Sequence, residues 1–407
     1  MKVDWPYEFP GAYWLDTREE KAVLSVLRKG SLFRYYGLND PTYVDAFEAD
    51  ARRFYRTRYA LAVNSGTGAL VASMRALGIG PGCEVLLPAF MWVATVGAIV
   101  QVGAIPVLCE VDDSFSISPK DIERKITGRT KLIVPIHMAG SPCGMDAIMK
   151  VAKKHKIPVL EDSAQCNGGT FKGKKTGTFG DMGIFSLQLN KNMTCGEGGL
   201  IITSDKKLYD RAFSAHDMGM VRKRGRLAAP EPYAIMWGEG RRMAELCAAV
   251  AGVQIKKLPK ILEHMRASKR RIKAMLEGTP GLGFRRLADP DGDTGPFLIL
   301  VLEDESKATT AVRKMKSFGL HNVFRIAEYG LHIYYNIPSL VGKVPLSPAG
   351  DPWKLEANKE SVYDYNKGAC PASDDLFGRS ILLPIPSRLT RAQEKAAVKA
   401  VKAAIGR

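Results

Sequence analysis

The amino-acid sequence predicts an α/β protein with a mostly parallel sheet covered by helices on both faces, followed by a smaller α+β portion. The first observation is that apolar runs of strand length alternate with helical segments between Tyr59 and Thr203. The second is that these runs are apolar at consecutive positions, as expected of strands covered on both faces. The third is that 407 residues, 46% of them hydrophobic, suffice for a large core and a second domain.

An arm and a helix are predicted to precede the sheet, in residues 1–35. The helix starts at Thr17, carries an apolar stripe and ends at Gly30. An aromatic-rich loop from Ser31 to Gly37 leads to a second helix over about residues 42–56. The large domain is therefore predicted to begin at residue 36.

The alternating region supplies the strands and helices of this large domain. The predicted strands are Tyr59–Val63, Glu84–Leu87, Ile105–Val111, Leu132–Ile136, Ile157–Leu160, Met182–Ser186 and Leu200–Thr203. The predicted helices between them are Ala69–Leu77, Val93–Val102 and Met145–Lys154. Parallel strands joined by helices give a right-handed, doubly covered sheet that binds ligands at its carboxyl edge.

A long helix is predicted to connect the large domain, residues 36–260, with a small C-terminal domain, residues 261–407. It begins at Glu245 and continues to about Leu276, although Pro259 is expected to kink or split it. The small domain is predicted to contain strands Phe297–Leu302 and Ile333–Tyr335, helices Lys307–Phe318 and Arg391–Ile405, and a long polar loop, Val341–Lys367.

Cysteine spacing, the hydrophobic pattern and net charge limit the classes of protein to which this chain can belong. The seven cysteines are scattered singly, which argues for a reducing cytoplasm and against a metal site or a disulfide framework. Neither a signal peptide nor a membrane span is expected from the hydrophobic pattern. The formal charge of +17 is compatible with nucleic-acid binding, but no recognition motif accompanies the basic clusters. A solvated surface is the simplest explanation of the charge, and a basic cleft for an anionic substrate is a further one.

The segment Leu160–Thr203 contains the residues with the clearest chemistry. Asp162 ends one apolar run, and Lys191 stands between a second run, which ends in Ser186, and the glycine-rich turn at residues 196–199. Burial lowers the pKa of a lysine and leaves a free amine that can bond covalently to an aldehyde. A buried acid needs a cationic partner, and a protonated pyridine nitrogen suits Asp162. Together these residues indicate pyridoxal phosphate.

Two further groups of residues fit this cofactor. The run Ser65 to Thr67 lies between a strand and a helix, where backbone N–H groups favour a phosphate, although it also makes an ordinary helix N-cap. Trp92 offers a flat face for ring stacking, although a tryptophan at such a junction is often a core residue. Glu161 is an alternative to Asp162, but strand alternation points these two side chains to opposite faces.

Five segments resemble the sugar-aminotransferase branch, of the DegT/DnrJ type, of the fold type I pyridoxal-phosphate enzymes. They are SGTGAL, PAFMWVAT, EDSAQ, FSLQLNKNMTCGEGG and LPIPSRLT, in the order and spacing of the family from about Glu19 onward. The segment around the lysine is the most specific of them. The resemblance implies a seven-stranded sheet and a homodimer, or a dimer of dimers, whose active sites lie at the subunit interface.

The resemblance also implies roles for individual residues. Lys191 would bond to the cofactor and then move a proton between substrate and cofactor. Asp162 would hold the pyridine nitrogen protonated, Trp92 would stack on the ring, and Gln165 would hydrogen-bond to the ring hydroxyl. The phosphate would be bound by Ser65, Gly66, Thr67 and Ser186.

The sequence departs from the family in one motif. Where the family usually reads Gly-x-Asn-Tyr-Arg-Met, residues 238–243 read Gly-Glu-Gly-Arg-Arg-Met. The asparagine that normally reaches the cofactor phosphate of the neighbouring subunit is therefore replaced by Gly240. We hypothesise that Arg241 or Arg242 supplies the missing contact across the interface.

The function implied by the resemblance is transamination from L-glutamate, or L-glutamine, to a keto or aldehyde group of a sugar. Such a reaction belongs to the biosynthesis of amino sugars and of cell-surface polysaccharide, including lipopolysaccharide. The acceptor stays open among nucleotide-linked keto-sugars, inososes and an oxidised octulosonate of the Kdo type. The candidate substrate contacts are Arg34, Tyr35, Gln188, Arg222 and Tyr335, and the Arg34–Gly37 and Arg222–Arg226 loops lie where the family places substrate-facing loops.

Two other functions are compatible with the fold. A pyridoxal-phosphate sugar dehydratase of the same branch has a histidine in place of the lysine, so Lys191 argues against it. A regulatory or nucleic-acid-binding protein is supported by the charge alone, and the intact pair of Lys191 and Asp162 argues against an inactive scaffold.

Overall fold

The computed structural model describes residues 2–223, 226–347 and 350–406, without the side chain of Lys223. The α-helices of this part of the chain, α1 to α12 in order, are Thr17–Lys29, Tyr43–Tyr55, Gly66–Ala76, Val93–Gln101, Pro119–Lys125, Met145–His155, Lys206–His216, Glu245–Leu276, Glu305–Ser317, Pro338–Val341, Pro371–Gly378 and Arg391–Ile405. The strands, β1 to β15, are Tyr59–Val63, Glu84–Pro88, Ile105–Cys109, Thr130–Ile133, Leu160–Asp162, Thr170–Phe171, Lys174–Lys175, Met182–Ser186, Gly199–Thr203, Val221–Lys223, Arg226–Ala228, Gly283–Phe284, Phe297–Val301, Phe324–Arg325 and Ser380–Pro384.

Seven strands form the large sheet in the order β1-β9-β8-β5-β4-β2-β3. Regular ladders join the first four and the last three, and parallel bridges from Ile133 to Val159 and from Ile136 to Asp162 connect β4 to the β5 side. Only β9 runs antiparallel to its neighbours, and the other described pairs in this sheet are parallel. The predicted mostly parallel, seven-stranded sheet is thereby confirmed.

Side-chain alternation along β1 shows how both faces of this sheet are covered. Leu61 and Val63 face a cluster that contains the apolar residues of α3 and α4. Ala60 and Ala62 face the other way, into a cluster with α2 and α8. Because consecutive side chains of a strand point to opposite faces, each face of the sheet is covered by its own set of helices. The sheet is therefore open to ligands at the ends of its strands.

A second, antiparallel sheet lies in the C-terminal part of the chain, in the order β12-β13-β15-β14. Its apolar residues pack with those of α9 and α12, and Val3 and Trp5 of the N-terminal arm are buried in the same cluster. The predicted α+β character and the predicted closing helix over Arg391–Ile405 are confirmed. The arm is therefore bound to the C-terminal sheet rather than to the helix that follows it.

Three local predictions differ from the structure. The strand predicted at Ile333–Tyr335 is wrong: Tyr334–Asn336 form one turn of 3-10 helix, and Ile333 makes an isolated bridge to Phe90. The aromatic residues favoured a strand, but the chain turns here between Gly330 and Pro338 so that the buried Tyr334 hydroxyl reaches Asp374, at 3.0 Å.

Pro259 was expected to kink or split the long helix, and it does not split it. Pro259 lies inside α8, which continues from Glu245 to Leu276 because buried residues such as Leu258 and Ile261 anchor the helix before and after the proline. The boundary between residues 260 and 261 falls within this helix and remains a prediction. The predicted loop Val341–Lys367 contains two short 3-10 turns and buries Tyr365, so it packs on the protein. None of the described helices is long and apolar enough to cross a membrane.

Candidate active site

A cavity of about 700 Å³ opens at the carboxyl edge of the large sheet. Its walls come from the segments that follow β1, β2, β5 and β8, from the N-terminal arm, and from the C-terminal part of the chain. The residues predicted from the sequence that line it are Ser65, Gly66, Thr67, Trp92, Asp162, Gln165, Ser186, Gln188 and Lys191. Segments that are distant in sequence therefore meet where a parallel sheet is expected to bind its ligand.

One wall of the cavity is the first turn of α3. Ser65 caps this helix, with its hydroxyl accepting a hydrogen bond of 2.9 Å from the Gly68 N–H. The N–H groups of Gly66 and Thr67 have no acceptor among the described residues. A Cβ atom on Gly66 would stand 2.8 Å from the Cβ of Ser186, so the helix and the end of β8 touch at backbone distance. Free N–H groups beside serine hydroxyls make a cradle for a phosphate.

Asp162 is buried at the end of β5. One carboxylate oxygen accepts from the Thr95 hydroxyl at 2.7 Å and the other from the Ala164 N–H at 3.0 Å. Burial raises the pKa of Asp162, whereas these hydrogen bonds and the charge of Lys191 act to lower it. A carboxylate in this position favours a cation in the cavity, since a charge removed from water needs a partner.

Glu161 points to the opposite face of the same strand. Its carboxylate accepts from His137 at 3.1 Å and from the N–H groups of Gly177 and Gly180, each at 2.8 Å. The prediction that these neighbouring acids diverge is confirmed. Burial opposes protonation of His137, but Glu161 and Cys143 raise its pKa to about 10. These hydrogen bonds join β5 to the segment that follows β4 and to residues 177–180, and of the two neighbouring acids only Asp162 lines the cavity.

Lys191 lies in the connection between β8 and β9. Burial lowers the pKa of its amine, although the charges of Asp162 and Glu197 oppose this effect. No hydrogen bond of this amine is formed with the described residues. Its backbone is held on both sides, with its N–H donating to the Gln188 carbonyl at 3.0 Å and its carbonyl accepting from Gly11 at 2.9 Å. A fixed backbone and a buried amine whose pKa is lowered suit a nucleophile.

Trp92 and Gln165 face the cavity together with a histidine. The Trp92 side chain is 41% exposed, so the interpretation of this residue as core is not supported. Its ring centroid lies 4.6 Å from that of His332. The Gln165 carbonyl oxygen accepts from the Ala139 N–H at 3.0 Å, and its amide nitrogen lies 3.2 Å from His332 Nε2.

Sequence reasoning missed His332, which comes from the distant C-terminal part of the chain. Its ring stacks on Tyr329 at 3.8 Å between centroids, and its Nδ1 lies 3.0 Å from the Tyr329 carbonyl oxygen. Burial lowers the pKa of His332 to about 4, so the ring is neutral near pH 7. Because Nδ1 donates to the carbonyl, Nε2 accepts from Gln165 and fixes which way this amide points.

Sequence reasoning also missed the arm, of which residues 6–10 line the cavity. The Glu8 carboxylate accepts from the Ser387 N–H, and its second oxygen is shielded without a hydrogen-bond partner among the described residues. Trp14 donates to the Ser387 hydroxyl at 2.8 Å. The arm has no catalytic motif in its sequence, so only its path through the fold shows that it covers the site.

The predicted substrate contacts are divided between two places. Gln188 lines the cavity, whereas Arg34, Tyr35, Arg222 and Tyr335 are not among its lining residues. The buried Arg34 guanidinium lies 2.9 Å from Glu48, and Tyr35 lies between the guanidinium groups of Arg34 and Arg222, at 4.9 and 4.6 Å. Arg222 pairs with Asp217 at 2.8 Å. Their role in substrate binding stays a prediction, and residues 224 and 225 of the predicted basic loop lie outside the described residues.

Arg241 lies beside α3 of its own chain. Its Cδ would stand 3.3 Å from a Cβ on Gly68, and its guanidinium pairs with Glu239. Arg242 instead pairs with Asp217 at 2.5 Å. Arg241 thus lies next to the phosphate cradle of its own chain, whereas the contact predicted for Arg241 or Arg242 is with the neighbouring subunit's cofactor and stays a prediction.

The sequence model of the DegT/DnrJ/EryC1/StrS aminotransferase family matches residues 15–402. The chain belongs to this family. It is 37% identical over 225 residues to the GDP-perosamine synthase of Escherichia coli O157:H7, covering 55% of this chain and 60% of that one. It is 34% identical over 239 residues to the GDP-perosamine synthase of Vibrio cholerae, covering 58% and 64%. The chain thus spans about three fifths of the length of these curated relatives.

A solved structure extends the likeness to nearly the whole chain. DesV of S. venezuelae, in complex with a ketimine intermediate, is 26% identical with a TM-score of 0.77, over 96% of this chain and 95% of that one. The predicted fold type I architecture is confirmed. Members of the DegT/DnrJ/EryC1/StrS family use pyridoxal phosphate, and the residues here fit it: a phosphate cradle at Gly66, a buried amine at Lys191, a buried acid at Asp162 and an exposed ring face at Trp92. Among the described residues, no group of three or more His, Cys, Asp or Glu side chains is placed to bind a metal.

Proposed function

We propose that this protein is a pyridoxal-phosphate-dependent aminotransferase that moves an amino group from L-glutamate, or L-glutamine, to a keto or aldehyde group of a sugar in the cytoplasm. The observation that carries the proposal is the meeting of Lys191 and Asp162 in one cavity, beside the unpaired N–H groups of α3. A binding protein built only to hold a phosphate would need neither the buried amine nor the buried acid.

Each of these residues has a definite task in this reaction. Pyridoxal phosphate, when bound, supplies an aldehyde and an electron-withdrawing ring. The Lys191 amine, whose pKa is lowered by burial, would take a proton from the substrate carbon and return it on the other side of the transfer. The Asp162 carboxylate would keep a protonated ring nitrogen charged, and Gln165, held by the neutral His332, would be the residue that hydrogen-bonds to the ring hydroxyl. The arm and Trp92 line the cavity and would limit the access of water to it.

The acceptor that we favour is a nucleotide-linked keto-sugar. The two curated relatives, at 34% and 37% identity, are named for the synthesis of a GDP-linked amino sugar. An inosose and an octulosonate remain acceptors for the same chemistry. The product would serve amino-sugar and cell-surface polysaccharide biosynthesis.

The charges in the cavity bear on how these substrates are bound. Among its described lining residues Lys191 is the one cationic side chain, since His332 is neutral, while Glu8, Asp162 and Glu197 are acidic groups. Glutamate has two carboxylates, and a nucleotide-linked sugar has a diphosphate. Their cationic partners are therefore expected from a neighbouring subunit, which supports a homodimer, or a dimer of dimers, with shared sites.

An absorbance experiment tests the proposed reaction. Purified protein loaded with pyridoxal phosphate should show a visible band that bleaches on addition of L-glutamate, and the band should return on addition of the right keto-sugar. A panel of GDP-linked keto-sugars, an inosose and an oxidised octulosonate identifies the acceptor. Lys191→Ala is the control and should show no lysine-bound band. A wild-type protein that binds the cofactor but does not respond to glutamate or glutamine would contradict transamination.

A further inference from the structure

A second cavity lies at the opposite edge of the large sheet from the candidate active site. It has a volume of about 780 Å³ and is formed by the end of α2, by the β6–β7 hairpin and by Ser204. Ser204 follows β9, and the last residue of this strand, Thr203, pairs with Tyr59, the first residue of β1. The cavity is therefore at the amino edge of the parallel strands, and the proposed function makes no use of it.

Five cationic side chains line this cavity: Arg53, Arg56, Lys172, Lys174 and Lys175. Arg53 is paired with Asp50 and Lys172 with Asp146. Among the described residues, Arg56, Lys174 and Lys175 have no carboxylate within 4.0 Å, the limit for an ion pair. Three positive charges thus converge on one cavity without acids to balance them.

The ammonium of Lys175 is partly buried, and neighbouring cations repel its charge. Its ammonium lies 4.3 Å from the centroid of the Phe54 ring and donates to the Gly168 carbonyl at 3.2 Å. Burial lowers the pKa of Lys175, and the charges of Arg266 and Arg56 lower it further. Aromatic and carbonyl partners satisfy part of the ammonium, but neither cancels its charge. An anion in the cavity would remove this repulsion.

The cationic lining is not explained by the dipole of α2 alone. Cations are favoured at the C-terminus of a helix, and Arg53 lies in the last turn of α2. Lys174 and Lys175, however, belong to the β6–β7 hairpin, and Lys174 lies 4.6 Å from the centroid of the Phe179 ring. Two unconnected elements therefore direct cations to the same cavity.

Two of the cavity cations also occupy left-handed backbone positions. Arg56 has φ of 56° just after α2, and Lys172 has φ of 50° in the two-residue turn of the hairpin, before Gly173 with φ of 77°. Glycine or asparagine fits such positions with less strain, and Asn-Gly is the favoured pair for this turn. Strained residues that persist are candidates for a role outside the fold itself. Here both of them carry positive charge into one cavity.

We propose that this cavity binds an anion with two or more charges that carries phosphate, such as a diphosphate ester. A singly charged carboxylate would balance only one of the three unpaired cations, whereas a diphosphate would balance two or three and accept several charge-assisted hydrogen bonds. The hydroxyl groups of Thr170, Thr178 and Ser204 line the same cavity and provide neutral polar contacts. The site is separate from the active site, so its occupant is a soluble phosphate ester that acts as an effector, or the phosphate of a lipid headgroup, rather than the transamination substrate.

The test is a calorimetric titration of the pyridoxal-phosphate-loaded enzyme with inorganic pyrophosphate at low salt. Loading the cofactor keeps the phosphate cradle of the active site filled. The Lys174→Gln/Lys175→Gln variant should bind pyrophosphate at least about tenfold more weakly, since each lost charged hydrogen bond corresponds to about tenfold or more. The control is Lys120→Gln/Lys150→Gln, which removes the same charge from two exposed lysines outside the cavity and should keep the wild-type affinity.

Two outcomes would overturn the proposal: wild-type enzyme that does not bind pyrophosphate, or equal weakening in both double variants, which would indicate net charge alone. A second arm uses phosphatidylglycerol vesicles in a sedimentation assay. Binding that pyrophosphate competes away and that the cavity variant loses assigns the phosphate to a lipid headgroup; pyrophosphate binding without vesicle binding assigns it to a soluble ester. Unchanged thermal unfolding of both double variants shows that they fold, and this control does not depend on the proposed function.

Discussion

The Gly11 N–H donates a hydrogen bond of 2.9 Å to the carbonyl of Lys191, and a Cβ atom on Gly11 would stand 2.8 Å from this oxygen. The arm that contains Gly11 is bound at its other end to the C-terminal part of the chain, where the Val3 N–H donates to the Phe318 carbonyl at 2.6 Å. The arm thus links the C-terminal sheet directly to the loop of the lysine, across the mouth of the cavity.

We expect Gly11→Ala to displace this arm. The backbone of Gly11 has φ of −64°, which alanine adopts readily, so the effect is steric alone. Overpacking at a contact of this kind costs about 1–3 kcal/mol, and we expect kcat/KM to fall by about tenfold. Gly252→Ala, at a helical position with no atom within 4 Å of the added methyl, is the control and should keep full activity. Equal activity in the two variants would contradict a role for the arm.

Replacing the buried acid should separate cofactor binding from turnover. Asp162→Asn keeps the shape, and its amide oxygen can still accept from the Ala164 N–H while its NH2 group donates to the Thr95 hydroxyl, but it removes the charge that favours a protonated ring nitrogen. We expect cofactor binding, followed by absorbance, to change little and kcat to fall by at least about a hundredfold. Thr95→Val, which removes one hydrogen bond to the carboxylate, should have a smaller effect in the same direction. An Asp162→Asn enzyme with normal kcat would exclude the assigned role.

His332 should make the protein sensitive to acid. The pKa of His332 is about 4 in the folded protein because of burial, against about 6.5 when unfolded. As the pH falls from about 6.5 to about 4, the unfolded chain takes up a proton that the folded protein does not, so stability is lost over this window. The free energy of unfolding of His332→Gln, measured with urea, should therefore decrease less steeply with falling pH than that of the wild type. The exposed His321 provides the control variant, His321→Gln, which should follow the wild type.

Replacing Arg56, which has a left-handed backbone conformation just after α2, should raise stability but weaken anion binding. Arg56→Gly should raise the free energy of unfolding by about 0.5–1 kcal/mol, because relief of the backbone strain exceeds the added chain entropy of glycine. It should also weaken pyrophosphate binding. Lys156→Gly is matched, since Lys156 follows α6 with φ of 55° but lies outside the cavity. It should gain similar stability and bind pyrophosphate normally. Thermal unfolding and calorimetry of both variants check this.

The two arginines of the altered motif should differ in their effect on the cofactor. Arg241 lies beside the first turn of α3, whereas Arg242 is paired with Asp217 and lies 5.3 Å from the ring of Phe33. We expect Arg241→Ala to weaken pyridoxal phosphate binding by about tenfold, as for one lost charged contact, and Arg242→Ala to leave it unchanged. Titration of the cofactor into each variant measures this, and unchanged affinity in both would end the hypothesis.

The sequence was most informative where local pattern and chemistry coincide. Apolar alternation predicted the sheet, and Asp162 and Lys191 were found because each follows an apolar strand next to unusual neighbours. His332 could not be found in this way, because its neutral state and its contact with Gln165 exist only after two distant segments meet. The strand predicted at Ile333–Tyr335 failed because the tendency of aromatic residues to form strands is local, whereas the turn there is set by the burial of Tyr334.

Arg34 illustrates a different limit. The resemblance to the family made Arg34 a candidate substrate contact, which stays a prediction, but a sequence does not show that Glu48, on the following helix, lies 2.9 Å from its guanidinium. Charged side chains predict ligands only when their partners within the fold are known.

The close approach of Gly66 to Ser186 has a consequence for how the enzyme can evolve. In the proposed cofactor site this contact would set the position of the phosphate, and Lys191 follows Ser186 after only four intervening residues. The length of segment 187–190 therefore sets the distance between the phosphate cradle at Ser186 and the amine of Lys191. Substitutions within it that keep its length are tolerable, but one inserted or deleted residue would put the amine out of reach of the aldehyde while leaving the phosphate bound.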